Sequence, residues 1–141
     1  MIADMSRAQI DDLLNDQVVG RIGCNTGGLT YVVPVIYAYD GDGLYVASTE
    51  GQKTRMMRAN PDVCFEVDEY DGAGSWRSAI VHGLYEELDD ADAKAAIALL
   101  AARFRRDGEE GGPHRRHGGY GARTVCFRIR IRTVTGRAVT R

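Results

Sequence analysis

Cysteine is scarce in this chain, long apolar runs are missing, and charge of neither sign dominates. Cys24, Cys64 and Cys126 are the only three cysteines, an odd number, far apart and without a Cys-x-x-Cys pair. That argues against a disulfide framework or a zinc ribbon and makes a reducing cytoplasm the expected home. Each cysteine falls in a predicted strand, where a small buried or half-buried side chain suits it. The apolar runs stay far below the ~18–20 residues that a membrane span requires. Met1-Ile2-Ala3-Asp4-Met5 lacks a basic segment leading into an apolar one, so no secretory signal is expected. A formal net charge of −2 gives no general pull toward nucleic acid or acidic membranes. A Gly-x-Gly-x-x-Gly turn is absent after the early strands, which argues against a Rossmann cofactor site. No Ser-His-Asp or Cys-His arrangement and no paired carboxylates can be assembled from local spacing, so no catalytic residue is named.

What is present is a chain of 141 residues with ordinary globular proportions, enough for one domain over 1–141 that buries roughly two thirds of its unfolded surface. Ser6-Arg7-Ala8-Gln9 has the form of a capping box, and Ile10, Leu13 and Leu14 follow at helical spacing, predicting a helix over about 6–15. Strands are predicted from Val18 to Cys24, Leu29 to Tyr39 and Leu44 to Ser48, separated by Asn25-Thr26-Gly27-Gly28 and Asp40-Gly41-Asp42-Gly43. Thr49-Glu50-Gly51-Gln52 reads as a second capping box, opening a helix that Asn60-Pro61 stops. Strands at 63–69 and 78–88 precede a helix over about 90–105 marked by Ile97, Leu100, Ala101 and Phe104. The stretch 107–121, rich in Gly, Arg and His, reads as a surface loop. In the last strand Val125, Phe127, Ile129 and Ile131 alternate with Cys126, Arg128, Arg130 and Arg132, the arginines expected on a solvent- or subunit-facing surface.

Strands joined mainly by tight turns predict an antiparallel sheet. The expected fold is mainly β (α+β), a six-stranded antiparallel barrel with flanking helices.

Four groups of residues have chemistry to offer, and each has a plain structural reading beside the functional one. Pro34 lies in the second strand, where it either blocks an edge or leaves carbonyls and amides around Val33–Val35 free for a planar ligand. Ser48, Thr49, Lys53 and Thr54 flank a helix start, which is either an ordinary capped helix or an anion site with an ammonium and hydroxyls at hand. Glu50 counts against an anion there unless it points away. Trp76, before Ser78, is a core or interface anchor or the flank of an aromatic ligand. His82 is a satisfied structural histidine or a haem or metal ligand. His114 and His117 lack further ligands at metal-site spacing, and the arginines between them lack the interleaved aromatics of a single-strand binder, so neither metal nor nucleic acid is expected there.

Taken in order, Gly20-Arg21-Ile22-Gly23, Tyr31-Val32-Val33-Pro34-Val35, Leu44-Tyr45-Val46-Ala47-Ser48, Gly51-Gln52-Lys53, Arg58-Ala59-Asn60-Pro61, Val63 to Asp68, Trp76 to Gly83 and Thr135-Gly136-Arg137 span nearly the whole chain. This ordered set resembles the pyridoxamine 5′-phosphate oxidase-like, FMN-binding split-barrel superfamily, and within it the subgroup that includes the nitroimidazole-resistance proteins. The resemblance implies a split barrel and a homodimer with two FMN sites in the subunit interface. It implies that Val33, Pro34 and Val35 border the isoalloxazine, that Ser48, Thr49, Lys53 and Thr54 hold the phosphate, and that Trp76 and Ser78 approach from the partner. The implied activity is that of a flavin oxidoreductase acting on a small-molecule substrate, with NAD(P)H as reductant. The alternative is a non-catalytic carrier of haem or of the deazaflavin F420. Ala47 and Gln52 stand where nitroimidazole-resistance proteins often carry histidine, and no C-terminal Arg-x-His pattern is present, so neither specific activity is carried over.

Overall fold

The computed structural model describes residues 1–106 and 124–140, and among them it holds eight strands and three helices. β1 (Ile2–Asp4) leads into α1 (Arg7–Asp16), which opens on the expected box. Ser6 Oγ accepts from the Gln9 amide at 3.2 Å, and Gln9 Oε1 accepts from the Ser6 amide at 2.7 Å. Ile10, Leu13 and Leu14 are buried on one face.

β2 (Val19–Thr26) and β3 (Leu29–Ile36) form a hairpin around Gly27 and Gly28, whose φ of 59° and 82° are what a tight right-twisting turn demands. β4 (Ala38–Tyr39) and β5 (Gly43–Thr49) form the next, with the Asp40 carboxylate accepting from the amides of Asp42 and Gly43, both at 2.9 Å. α2 (Gln52–Ala59) then precedes β6 (Asp62–Tyr70) and β7 (Trp76–Leu88), and α3 (Asp90–Arg106) precedes β8 (Thr124–Val139).

Every strand pairing is antiparallel, in the order β3-β2-β6-β7-β8-β5-β4, with β1 added to β8. The two ends of that path, β3 and β4, are consecutive in the chain with only Tyr37 between them. The sheet therefore curls round until its ends meet at one residue, and among the described residues it closes nowhere else along β3. Tyr37 is fully buried: its amide donates to the Val18 carbonyl (3.0 Å), its hydroxyl to the Leu14 carbonyl (2.7 Å), and its ring meets Phe65 edge-on. Ile22, Leu44, Phe65, Val67, Val81, Phe127 and Ile129 fill the interior. A second cluster, Ala38, Ala47, Leu100, Phe104 and Cys126, lies beneath α3. No helix among the described residues is long and apolar enough to cross a membrane.

The fold class is as expected, but the strand count is eight instead of six. β1 carries too few residues to show a period, and Leu29–Tyr39 is divided at Tyr37 because its two halves pair with different neighbours. The last strand continues past Arg132 to Val139, pairing with both β7 and β1. Its arginines face acids: Arg128 and Arg130 share Glu86 on neighbouring β7, and Arg132 lies 3.4 Å from Asp62 on β6, one strand further across the sheet. Cys126 is covered by α3. The loop expected over 107–121 lies outside the described residues.

Candidate functional site

β5 ends by running into a short turn and α2, and this junction is where a lysine, hydroxyls and free helix amides converge. The N-cap is Gly51, two residues later than the capping-box pattern at Thr49 predicts. The reason is Thr54, whose Oγ1 accepts from the Gly51 amide at 3.0 Å and lies 3.0 Å from the Gly51 carbonyl and 3.1 Å from Glu50 Oε2. Thr54 is fully buried, so its hydroxyl builds the turn and is not presented to solvent. Ser48 is nearly buried, its hydroxyl donating to the Thr49 carbonyl at 3.3 Å, whereas Thr49 is exposed.

Lys53 is half-buried in the first turn of α2 and has no carboxylate partner among the described residues. Burial lowers its ammonium pKa from the ordinary value. A desolvated cation without a counter-ion, beside helix amides that no side-chain oxygen at the N-cap satisfies, fits an anionic ligand group. Glu50 does not occupy that position. Arg58 Nη1 approaches Glu50 Oε1 at 2.7 Å, and the hydrogen bond from Arg58 is the main reason its carboxyl sits below its usual range.

The second half of the site is a gap in the barrel. Ala38 pairs with Tyr45 and Tyr39 with Leu44, and there the β4–β5 ladder stops. Beyond it, among the described residues, β3 pairs only with β2 and β5 only with β8, although β3 and β5 still touch. Pro34, exposed and opposite Arg21, lies on this terminal strand, the position a proline tolerates in a sheet. Val33 and Val35 turn inward toward the core. The unpaired edge of β3 and the end of β5 thus border one opening, so Val33–Val35 are brought to the same end of the barrel as Ser48 and Thr49.

Trp76 and Ser78 are not brought there within one chain. Ser78 stands between Asp68 and Arg137, and Trp76 between Tyr70 and Val139, on β7 with β2 and β6 intervening before β3. His82 is exposed and makes no hydrogen bond or ion pair among the described residues, contrary to a satisfied structural role. With Cys64, its register partner, it lines a groove of about 510 Å³ that also includes Asn25, Thr30, Asp62 and Arg132.

Two features were not legible in the sequence. Arg58 reaches Glu50 and, at 2.7 Å, Glu87 on β7, a partner twenty-nine residues away. Glu66 lies beside Asp68 and Arg21 on the outer face, and burial, with Asp68 adding to it, pushes its carboxyl up to about 7. Its alternation with Phe65 and Val67 places Glu66 outward, but says nothing about what else is there.

The family model described as pyridoxamine 5′-phosphate oxidase matches residues 6–138. The crystal structure of a FAD-binding protein from Mesorhizobium loti is 35% identical in sequence, with a TM-score of 0.79 and 99% of each chain covered. A protein from Bacteroides thetaiotaomicron, provisionally assigned to 5-nitroimidazole antibiotic resistance, shares the fold at 20% identity and a TM-score of 0.77, covering 98% of this chain and 87% of that one. An uncharacterized protein of Rhizobium meliloti (strain 1021) is 36% identical over 84 residues, 60% of this chain. That match spans 56% of the relative's length.

Proposed function

Because the chain belongs to the pyridoxamine 5′-phosphate oxidase family, we propose that it is a flavin-binding protein that takes FMN at the split between β3 and β5 and works as an oxidoreductase. The observation that carries this reading is the half-buried Lys53 at the start of α2, without a carboxylate partner among the described residues and directly after the strand that borders the opening. Lys53 and the first amides of α2 hold the ribityl phosphate, with Thr49 beside them. Ser48 and Thr54 shape the turn. The backbone of Val33–Val35 borders the ring, where an unpaired strand edge has carbonyls and amides to offer. Bound flavin would supply hydride or electron transfer, with NAD(P)H as the reductant and a small molecule as acceptor.

The same reading includes a homodimer. Val32 and Ile80, 62% and 41% exposed, lie on the outer sheet face with Pro34, and a second copy against this face would bring its Ser78 and Trp76 toward the opening. The relative that is 35% identical over nearly the full chain supports flavin, since FAD and FMN share the ring, the ribityl chain and the first phosphate.

The test is a titration of the purified protein with FMN, FAD and riboflavin, followed by flavin fluorescence and native mass spectrometry. FMN is expected to bind more tightly than riboflavin, one per chain in a dimer. Failure to bind any of the three would end the flavin reading. A second reading is favoured by His82, exposed in its groove and without a partner among the described residues: haem held without catalysis. A Soret band on haem addition that His82→Ala abolishes would support it.

A further inference from the structure

An acid just before a helix N-terminus can compete with an anionic ligand for the same amides, and Glu50 directly precedes the N-cap Gly51. Arg58 draws its carboxylate away from them. The guanidinium uses Nη1 to hold Glu50, at 2.7 Å from Oε1 and 2.9 Å from Oε2. Its Nε donates to Glu87 Oε1 at 2.7 Å. The same Glu87 oxygen accepts from the Tyr85 hydroxyl at 2.7 Å. Tyr85 is buried, its ring 5.0 Å from that of Phe127. The chain Glu50–Arg58–Glu87–Tyr85 therefore ties the turn before α2 to the barrel core.

Resting on the flavin reading, we propose that Arg58 is a positioning residue that makes the start of α2 selective for a phosphorylated ligand, acting through Glu50 and not by touching the phosphate. Two consequences follow from the geometry. Neutralising Glu50 removes a repulsive charge beside Lys53. Holding its carboxylate sideways, with the Thr54 hydroxyl donating to Oε2, keeps the first amides of α2 open. A lysine cannot replace this arrangement, because one ammonium lacks the planar fork that spans two carboxylates.

The experiment compares dissociation constants for FMN and riboflavin, which differ by one phosphate, in the wild type, Arg58→Gln, Glu50→Gln and the double variant. Arg58→Gln is expected to weaken FMN roughly 3- to 10-fold, the scale of one uncompensated charge near the phosphate in a high effective dielectric. Riboflavin affinity should not move. Glu50→Gln should bind FMN at least as tightly as the wild type, and adding it to Arg58→Gln should restore FMN affinity. An equal loss for riboflavin would overturn the proposal and make Arg58 merely structural. A double variant as weak as Arg58→Gln would overturn it in favour of direct contact with the phosphate, and so would a loss of FMN affinity in Glu50→Gln. If the wild type binds FMN no better than riboflavin, the phosphate site itself fails, and this inference with it.

Discussion

Val35 and Ser48 stand where the third further rung of the β4–β5 ladder would fall, yet Val35 pairs with Gly20 and Ser48 with Val125. The strands separate at Tyr37 because its amide and hydroxyl are both drawn toward β2 and α1. The resulting opening is bounded by backbone that has no strand partner on that side.

Hydrogen exchange will report on that backbone. Peptides covering 32–36 and 47–53 should gain protection when FMN is added, because ligand atoms replace water on their free groups. Riboflavin should protect 32–36 while leaving 50–53 unchanged. Identical protection patterns for the two ligands would remove the division between ring side and phosphate side.

Lys53→Ala should weaken FMN binding by on the order of 1–3 kcal/mol, the worth of a hydrogen bond to a charged group. Riboflavin binding should be unaffected, since the proposed ring contacts lie on β3. Isothermal titration of both ligands decides the matter, and an unchanged FMN affinity would rule out the assigned role.

Glu66 makes stability depend on pH. Its carboxyl is raised from the ordinary 4.5 to about 7, so between those values the folded chain holds a proton that the unfolded chain releases. The contribution is fully present below about 4.5 and is lost as pH rises through about 7. Glu66→Gln, which mimics the protonated form, should melt higher than the wild type at pH 8, and the difference should shrink toward pH 5. Thermal scans across that range test this, and a pH-independent difference would contradict it.

Gly83→Ala should be poorly tolerated. Gly83 sits at the bulge in the β7–β8 register, and a Cβ there would collide with the Arg130 carbonyl and come within 2.9 Å of Ile129 Cγ2. Backbone cannot move aside as a side chain can, so a cost of about 1–3 kcal/mol or more is expected. A melting temperature equal to that of the wild type would show that the bulge relaxes freely.

Much of this molecule was legible in its sequence where the determinant is local. Ser6 and Gln9 announced α1, Gly27-Gly28 and the Asp40 turn announced hairpins, and the alternation through Phe127 and Ile129 announced a strand with one face in the core. α2 starts two residues later than the pattern at Thr49 predicts, because Thr49 and Thr54 both have cap-forming side chains and only the burial of Thr54 decides between them. The position of Lys53 in the first turn of α2 is legible because it is local to the helix start.

The antiparallel class, the hairpins and a lysine at a helix N-terminus are dictated locally, since each follows from residues within a few positions of one another. The tertiary structure decided that β3 and β5 part company beyond Tyr37, that Glu50 is held away by an arginine anchored on Glu87, and that Glu66 meets Asp68 and Arg21 in a partly dry setting. Those relationships depend on how a sheet curls to bring its two ends together, and register and curvature are properties of the whole assembly of strands.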